Sequence, residues 1–242
     1  MTAPSKTLLS VEGIRGVYEF GLGWLLNVPL QYISPKGDGH PVIVLPGLGG
    51  ADGSTHYIRN FLYNMGYDAH PWGLGRNLGP RHGIDKLLTQ LSERVQVISE
   101  QSDNQQVSII GWSLGGIYGR EIAKLIPDTV RQVITLGTPF KDTLNNTNAE
   151  MLYRLLSKDN SHSDPDVLRQ IAEPPPVPFT SIYSKSDGVV HWECSIEDAS
   201  DLSENVEVPG ASHLGLGHNP IAMYIIANRL TQTRENWTPY KP

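Results

Sequence analysis

The chain has 242 residues, with 19 Lys and Arg against 25 Asp and Glu and a net charge of −6 at pH 7. This length suits one α/β domain, and 39% hydrophobic with 18% charged residues is the composition of a soluble globular chain, not a disordered one. The basic residues are too scattered for a nucleic-acid face, and a single cysteine, Cys194, excludes an internal disulfide and a multi-cysteine zinc site.

The N-terminal stretch has no apolar core followed by a small-residue cleavage site, so no signal peptide is expected and a cytoplasmic location is the reading. Residues 20–33, "FGLGWLLNVPLQYI", are too short to span a bilayer and contain Asn27 and Pro29. They either dock onto the body of the protein or make a peripheral, monotopic contact with a membrane. Residues 41–45, "PVIVL", predict a strand that stops at Pro46 and a glycine cluster. A helix follows, with Ser54 or Thr55 as cap, Ile58, Phe61, Leu62 and Met65 on one face, and Gly66 as its end. "YDAHPW" predicts a second strand, and residues 84–98 repeat Leu87, Leu88, Leu91, Val95 and Ile98 at helical spacing.

The alternation continues with a strand at "VSII", a helix over 114–126 stopped by Pro127, and strands at "RQVITLG", "FTSIYS" and "NVEVPG". The last helix, "PIAMYIIANRL", has Asn219 as N-cap and Pro220 in its first turn. Strands alternating with helices imply a mostly parallel sheet with helices on both faces, in a single domain over 1–242. Between residues 140 and 178, two amphipathic pieces, "NAEMLYRLL" and "DPDVLRQIA", interrupt the pattern. The second has Asp164 as N-cap and Pro165 at its first position. An insert of this size is expected to form a small helical lid over a site.

Gly111-Trp112-Ser113-Leu114-Gly115 matches G-x-S-x-G and lies between a predicted strand and a predicted helix. That setting gives the motif its mechanical meaning. A strained turn pushes the Ser113 oxygen out at the carboxyl edge of the sheet, and the two glycines let strand and helix backbones approach. Ser113 is the candidate nucleophile.

With the segments "VIVLPGLGG", "VSIIGWSLGGIYGREIA", "VITLGTPF", "SKSDGVV" and "GASHLGLGHNP", residues 41–231 resemble the α/β-hydrolase fold, specifically compact bacterial lipases and esterases of the triacylglycerol-lipase type. The resemblance implies a Ser–His–acid triad in the chain order Ser, acid, His. His213, in a glycine-rich loop after the last strand, is the expected base, because His218 is accounted for by the helix start that follows it. Asp187 is the expected acid. Asp198 and Asp201 are rivals in a polar connection, and turn chemistry alone also favours Asp-Gly at 187–188. The oxyanion donors are expected to be the backbone N–H groups of Leu114, at the helix start, and Leu48, in the "PGLGG" loop. Trp112 stands where secreted lipases often have histidine, a change expected to alter packing beside the turn and not mechanism.

Trp72, Phe140, Val189, Val190, Trp192 and Leu214 fall in loops near these positions and either line an acyl pocket or belong to the core. Arg76 and Asn77 either brace the site or contact a head group. His and Cys do not cluster at ligand spacing, and the glycine loops match neither phosphate-binding fingerprint, so no metal and no cofactor are expected. The implied activity is hydrolysis of a small-molecule or lipid carboxylic ester. Acyl transfer, or cleavage of a thioester or polyester on the same triad, is the alternative. A non-catalytic binding protein is the more distant one.

Overall fold

The computed structural model describes residues 4–81, 83–141, 165–198 and 200–241. Six strands form one parallel sheet: β1 (Pro41–Leu45), β2 (Asp68–Pro71), β3 (Val107–Trp112), β4 (Val130–Leu136), β5 (Phe179–Tyr183) and β6 (Ser203–Glu207). Their order is β2-β1-β3-β4-β5-β6. β1 and β3 are near-continuous apolar runs because both faces of the sheet are covered. Successive side chains on a strand point to opposite faces. Val42, Val44, Ile110, Ile134 and Ile182 therefore pack against α2 (His56–Met65) and the last helix, α6 (Pro220–Leu230). Ile43, Leu45, Ile109, Val133 and Phe179 face the other way, onto α3 (Ile84–Gln101) and α4 (Leu114–Leu125).

Two of the expected caps are present, while Thr55 stands at the N-cap of α2 with no capping hydrogen bond, its hydroxyl donating to Asp52 O instead. Gly66 ends α2 in a left-handed conformation, and the Asn219 side chain accepts from the N–H groups of Ile221 and Ala222 above Pro220. Of the insert, residues 142–164, including "NAEMLYRLL" and the cap at Asp164, lie outside the described residues. Its second piece forms α5 (Pro165–Ala172), with Ile171 buried in the core on the α4 side. Arg120 Nη2 donates to the Glu173 carbonyl at 2.9 Å just beyond it.

The N-terminal segment winds into α1 (Lys6–Ile33), capped by the Ser5 hydroxyl. Its inward stripe is Glu12, Gly16, Glu19, Gly23 and Leu30. Most of its large apolar side chains point outward. The usual arrangement of a surface helix, an apolar stripe facing the core, is inverted here. α1 docks onto the body, on α2, α6 and the loops at the carboxyl edge of the sheet.

Candidate active site

The loops after β1, β3, β5 and β6 meet at the carboxyl edge of the sheet, beside the point where the strand order reverses between β1 and β3. Open α/β sheets hold their ligands there. Ser113 occupies the turn from β3 to α4 at φ 52 and ψ −120. That is a conformation costing a non-glycine residue about 1–3 kcal/mol. The surroundings enforce it. Ser113 N donates to Leu136 O at 2.8 Å, and Thr138 Oγ1 donates to Ser113 O at 2.9 Å. A Cβ on Gly111 would collide with the Gly116 backbone, and one on Gly115 with the Leu45 carbonyl. Those two positions accept only glycine.

Asp187 follows β5. Its Oδ1 accepts the N–H groups of Val189 at 2.8 Å and Val190 at 2.7 Å, which aims Oδ2 at His213 Nδ1, 2.7 Å away. Both side chains are buried, so the pair is shielded from water. With Nδ1 engaged by the carboxylate, Nε2 is the nitrogen left to exchange a proton. Burial pulls the His213 imidazole down, but the charge and hydrogen bond of Asp187, with a smaller contribution from Glu12, outweigh it and hold the imidazole above its ordinary 6.5. Gly137, at φ 54, leaves room beside the pair, since a Cβ there would stand 3.0 Å from both Asp187 Oδ2 and His213 Nδ1. The rival Asp198 is exposed and paired with Lys141, and Asp201 is also exposed.

A cavity of about 320 Å³ opens over this edge. It is lined by Gly47, Leu48, Gly50 and Ser54 from the loop after β1 and the turn before α2, and by Trp112, Ser113, Val189, His213 and Leu214. Ser113 Oγ and the imidazole face the same space without a direct hydrogen bond between them. Such contacts commonly tighten only when substrate binds. Leu114 is the first residue of α4, where an N–H has no intrahelical partner, and neither its N–H nor that of Leu48 donates to a described residue. Asn77 braces the Leu48 loop. It is buried, its Nδ2 donates to Pro46 O at 2.8 Å, its backbone N donates to Gly50 O, and its carbonyl accepts from Gly49 N.

Of the six apolar loop residues, the structure brings Val189 and Leu214 to the cavity and leaves four elsewhere. Trp72 is buried in the core on the α3 side, with its indole N–H donating to Gly75 O at 2.8 Å. Phe140 is core, its ring 3.9 Å beneath the Arg120 guanidinium. Val190 is buried, its backbone pinned to Asp187, and Trp192 stacks on Tyr183. Trp112 has a larger part than packing beside the turn. Its Nε1 donates to the His213 carbonyl at 3.1 Å, so it supports the loop that carries the imidazole. His218 sits in an aromatic cluster with Phe20, Tyr57 and Trp112, away from the cavity.

Two residues escaped the sequence reading altogether. Glu12 Oε2 accepts from Gly188 N at 3.1 Å and its Oε1 from Leu214 N at 3.0 Å, so one carboxylate spans the residue after Asp187 and the residue after His213. Glu19 Oε1 accepts from Ser212 N at 2.7 Å, and its Oε2 accepts from Asn219 Nδ2 at 3.0 Å. The signal was the spacing Glu12, Gly16, Glu19, Gly23, which places two carboxylates and two glycines on one helical stripe.

No family model matches the sequence. Solved structures do. The chain is similar to Aspergillus fumigatus lipase B (TM-score 0.62, 20% identity), covering 81% of this chain and 53% of that one, so it spans about half the length of the fungal protein. It is similar to the Paleococcus ferrophilus monoacylglycerol lipase (TM-score 0.59, 15% identity; 81% of this chain and 95% of that one). It is also similar to Bacillus licheniformis lipase BlEst2 (TM-score 0.59, 16% identity; 82% and 94%). At such identities the likeness speaks for architecture alone. Together with the parallel sheet and its order of strands, it establishes that this chain has the α/β-hydrolase fold.

Proposed function

We propose that the protein is a serine hydrolase that cleaves carboxylic esters through an acyl-enzyme. The observation that carries this reading is one cavity lined by the strained Ser113, by His213 with its buried partner Asp187 behind it, and by Leu48, whose N–H is unengaged like that of Leu114 next to Ser113. Ser113 Oγ attacks the ester carbonyl while His213 Nε2 takes its proton. Asp187 orients the ring and stabilises its cationic form without accepting the proton. The tetrahedral oxyanion is held by the N–H groups of Leu48 and Leu114. The imidazolium then protonates the leaving alcohol, and a water molecule, activated by the same nitrogen, releases the acid and restores Ser113. Trp112, Leu48, Val189 and Leu214 give the cavity an apolar lining, which favours an apolar acyl group. Lipase and hydrolase neighbours of the same fold support a hydrolytic reaction.

The test is hydrolysis of p-nitrophenyl esters from acetyl to palmitoyl, with Ser113→Ala beside the wild type. The expected outcome is cleavage by the wild type and a loss of about a million-fold in kcat in the variant. Equal residual activity in both, or no labelling of Ser113 by a fluorophosphonate, would remove the reading.

A further inference from the structure

From Gly13 to Ile33, every fully exposed residue of α1 is apolar, aromatic, glycine or proline. Ile14, Val17, Leu25 and Tyr32 are 76%, 73%, 75% and 85% exposed. The helix is inside out, with its carboxylates turned to the protein and its large side chains to the surroundings. At 3.6 residues per turn, Phe20, Trp24, Val28, Leu25 and Tyr18 sweep an arc of about 160°. A contiguous exposed apolar face of this kind marks a site of interaction with a partner or a membrane. We propose that this face of α1 is a lipid-binding surface, which seats the protein on an uncharged bilayer or lipid droplet with the candidate cavity beside the lipid.

Three observations select lipid over a second copy of the chain. An apolar stripe of about 100° is enough for packing against another protein element, and this arc is wider and convex, a shape that a fluid layer covers without a matching groove. The arc carries no formal charge, and the whole chain is at −6, so neither an anionic membrane nor a charged protein patch is called for. α1 also borders the cavity through its inward stripe. Leu214, half exposed and in its lining, lies against Gly16, where an added Cβ would stand 2.9 Å from the Leu214 Cβ. A second copy seated there would put protein where the ester must arrive. Leu48, 42% exposed, lines the cavity as well.

The mode of contact follows from what holds the helix. Glu12 and Glu19 are bonded to the body, and Tyr57 donates to the Gly23 carbonyl at 2.8 Å. No helix among the described residues is long and apolar enough to cross a membrane. α1 therefore lies in the plane of the lipid surface, with its outer side chains in the acyl boundary. As a partner for the site, this surface rests on the ester-hydrolase reading; as a lipid contact it is measured separately.

The experiment is flotation of the full chain with phosphatidylcholine vesicles at low and high salt, alongside hydrolysis of water-soluble p-nitrophenyl acetate. The wild type is expected to float at both salt concentrations. Leu25→Glu/Val28→Glu, which touches only outward side chains, should weaken partition about a hundredfold or more and leave acetate hydrolysis and thermal unfolding unchanged. Should that double variant unfold, the neutral pair Val17→Ser/Leu25→Ser is read in the same way. Failure to float overturns the proposal, whether the chain is then a monomer or a dimer by light scattering. Binding confined to anionic vesicles and lost at high salt also overturns it. Flotation without any ester cleavage would keep the lipid surface and reject the hydrolase reading.

Discussion

Glu12 offers the sharpest perturbation, because one carboxylate connects the loop of the candidate acid to the loop of the candidate base. Glu12→Gln keeps the side chain's shape but places an amide NH₂ against one of two backbone N–H donors, Gly188 or Leu214, both now about 3 Å from a carboxylate oxygen. One charge-assisted bond, worth about 1.5–3 kcal/mol, is lost, and the other weakens to a neutral bond; together that is about 3 kcal/mol. For a chain of this size the melting temperature should fall by roughly 6–12 °C. The catalytic consequence is separate. If the two loops part by about 1 Å, kcat should drop about a hundredfold while KM changes little, because the cavity wall survives. The charge matters as well. Glu12 contributes to holding the imidazole of His213 above its ordinary value, so its neutral replacement should move the acid limb of the pH–rate profile to lower pH. Thermal melts, steady-state kinetics and pH profiles of the two proteins decide the matter. A less stable variant with wild-type kcat and an unmoved acid limb would make Glu12 a plain anchor of α1. No change in stability would refute the hydrogen-bond argument itself.

In the wild type, kcat/KM should rise with pH through a midpoint above 6.5, since the Asp187 carboxylate outweighs the effect of burial on His213 and only the neutral ring can act as base. A midpoint at or below 6.5 would contradict that balance. The same raised value adds stability that is complete below the unfolded imidazole's 6.5 and lost as pH rises through the folded value, which pH-dependent melts would register. Asp187→Asn should lower kcat about ten-thousandfold, by presenting the wrong tautomer of His213 to Ser113, and leave soluble protein whose ester KM is little changed. Asn77→Ala removes the buried donor to Pro46 O and should cost about 1–3 kcal/mol. It should also slow turnover more than it weakens binding, because the loop presenting the Leu48 N–H loses its brace; a melt and a kcat/KM measurement would show whether it does.

The parts of this molecule legible in sequence are those whose cause is local. β1 is an unbroken apolar run, and β3 is broken only by Ser108, because the sheet is covered on both sides. The turn at Ser113 announces itself through Gly111 and Gly115, two positions where backbone meets backbone. Asp187 and His213 are placed by the chain order that the resemblance implies, and they come together at 2.7 Å. Loop apolar residues gave no such handle. Whether Phe140 faces a cavity or a buried guanidinium is decided by Arg120, twenty residues away in the chain, and whether Val190 faces outward is decided by which N–H groups Asp187 accepts. The first thirty residues were illegible for a different reason. Their helical period is present, but its polar side is the buried one, and their partners Gly188, Ser212 and Leu214 lie about two hundred residues further along.

The glycines of α1 make that inversion testable without touching a carboxylate. Gly16 and Gly23 face inward, where a Cβ would press on Leu214 and collide with the His218 carbonyl, whereas Gly13 and Gly21 face outward with nothing within 4 Å. Each glycine costs a helix interior about 1 kcal/mol relative to alanine, so the inward pair yields helical stability in return for closeness of backbone to loop. Gly13→Ala should therefore stabilise the protein by about 0.5–1 kcal/mol and leave ester turnover alone, because an alanine fits that helical backbone and fills empty space. Gly16→Leu should do the opposite, lowering the melting temperature and turnover together, since the helix must withdraw from Leu214 and take Glu12 with it. Equal effects from the two substitutions would mean that α1 does not depend on close approach. The carboxylate bridge between the acid and base loops would then have to be explained without it.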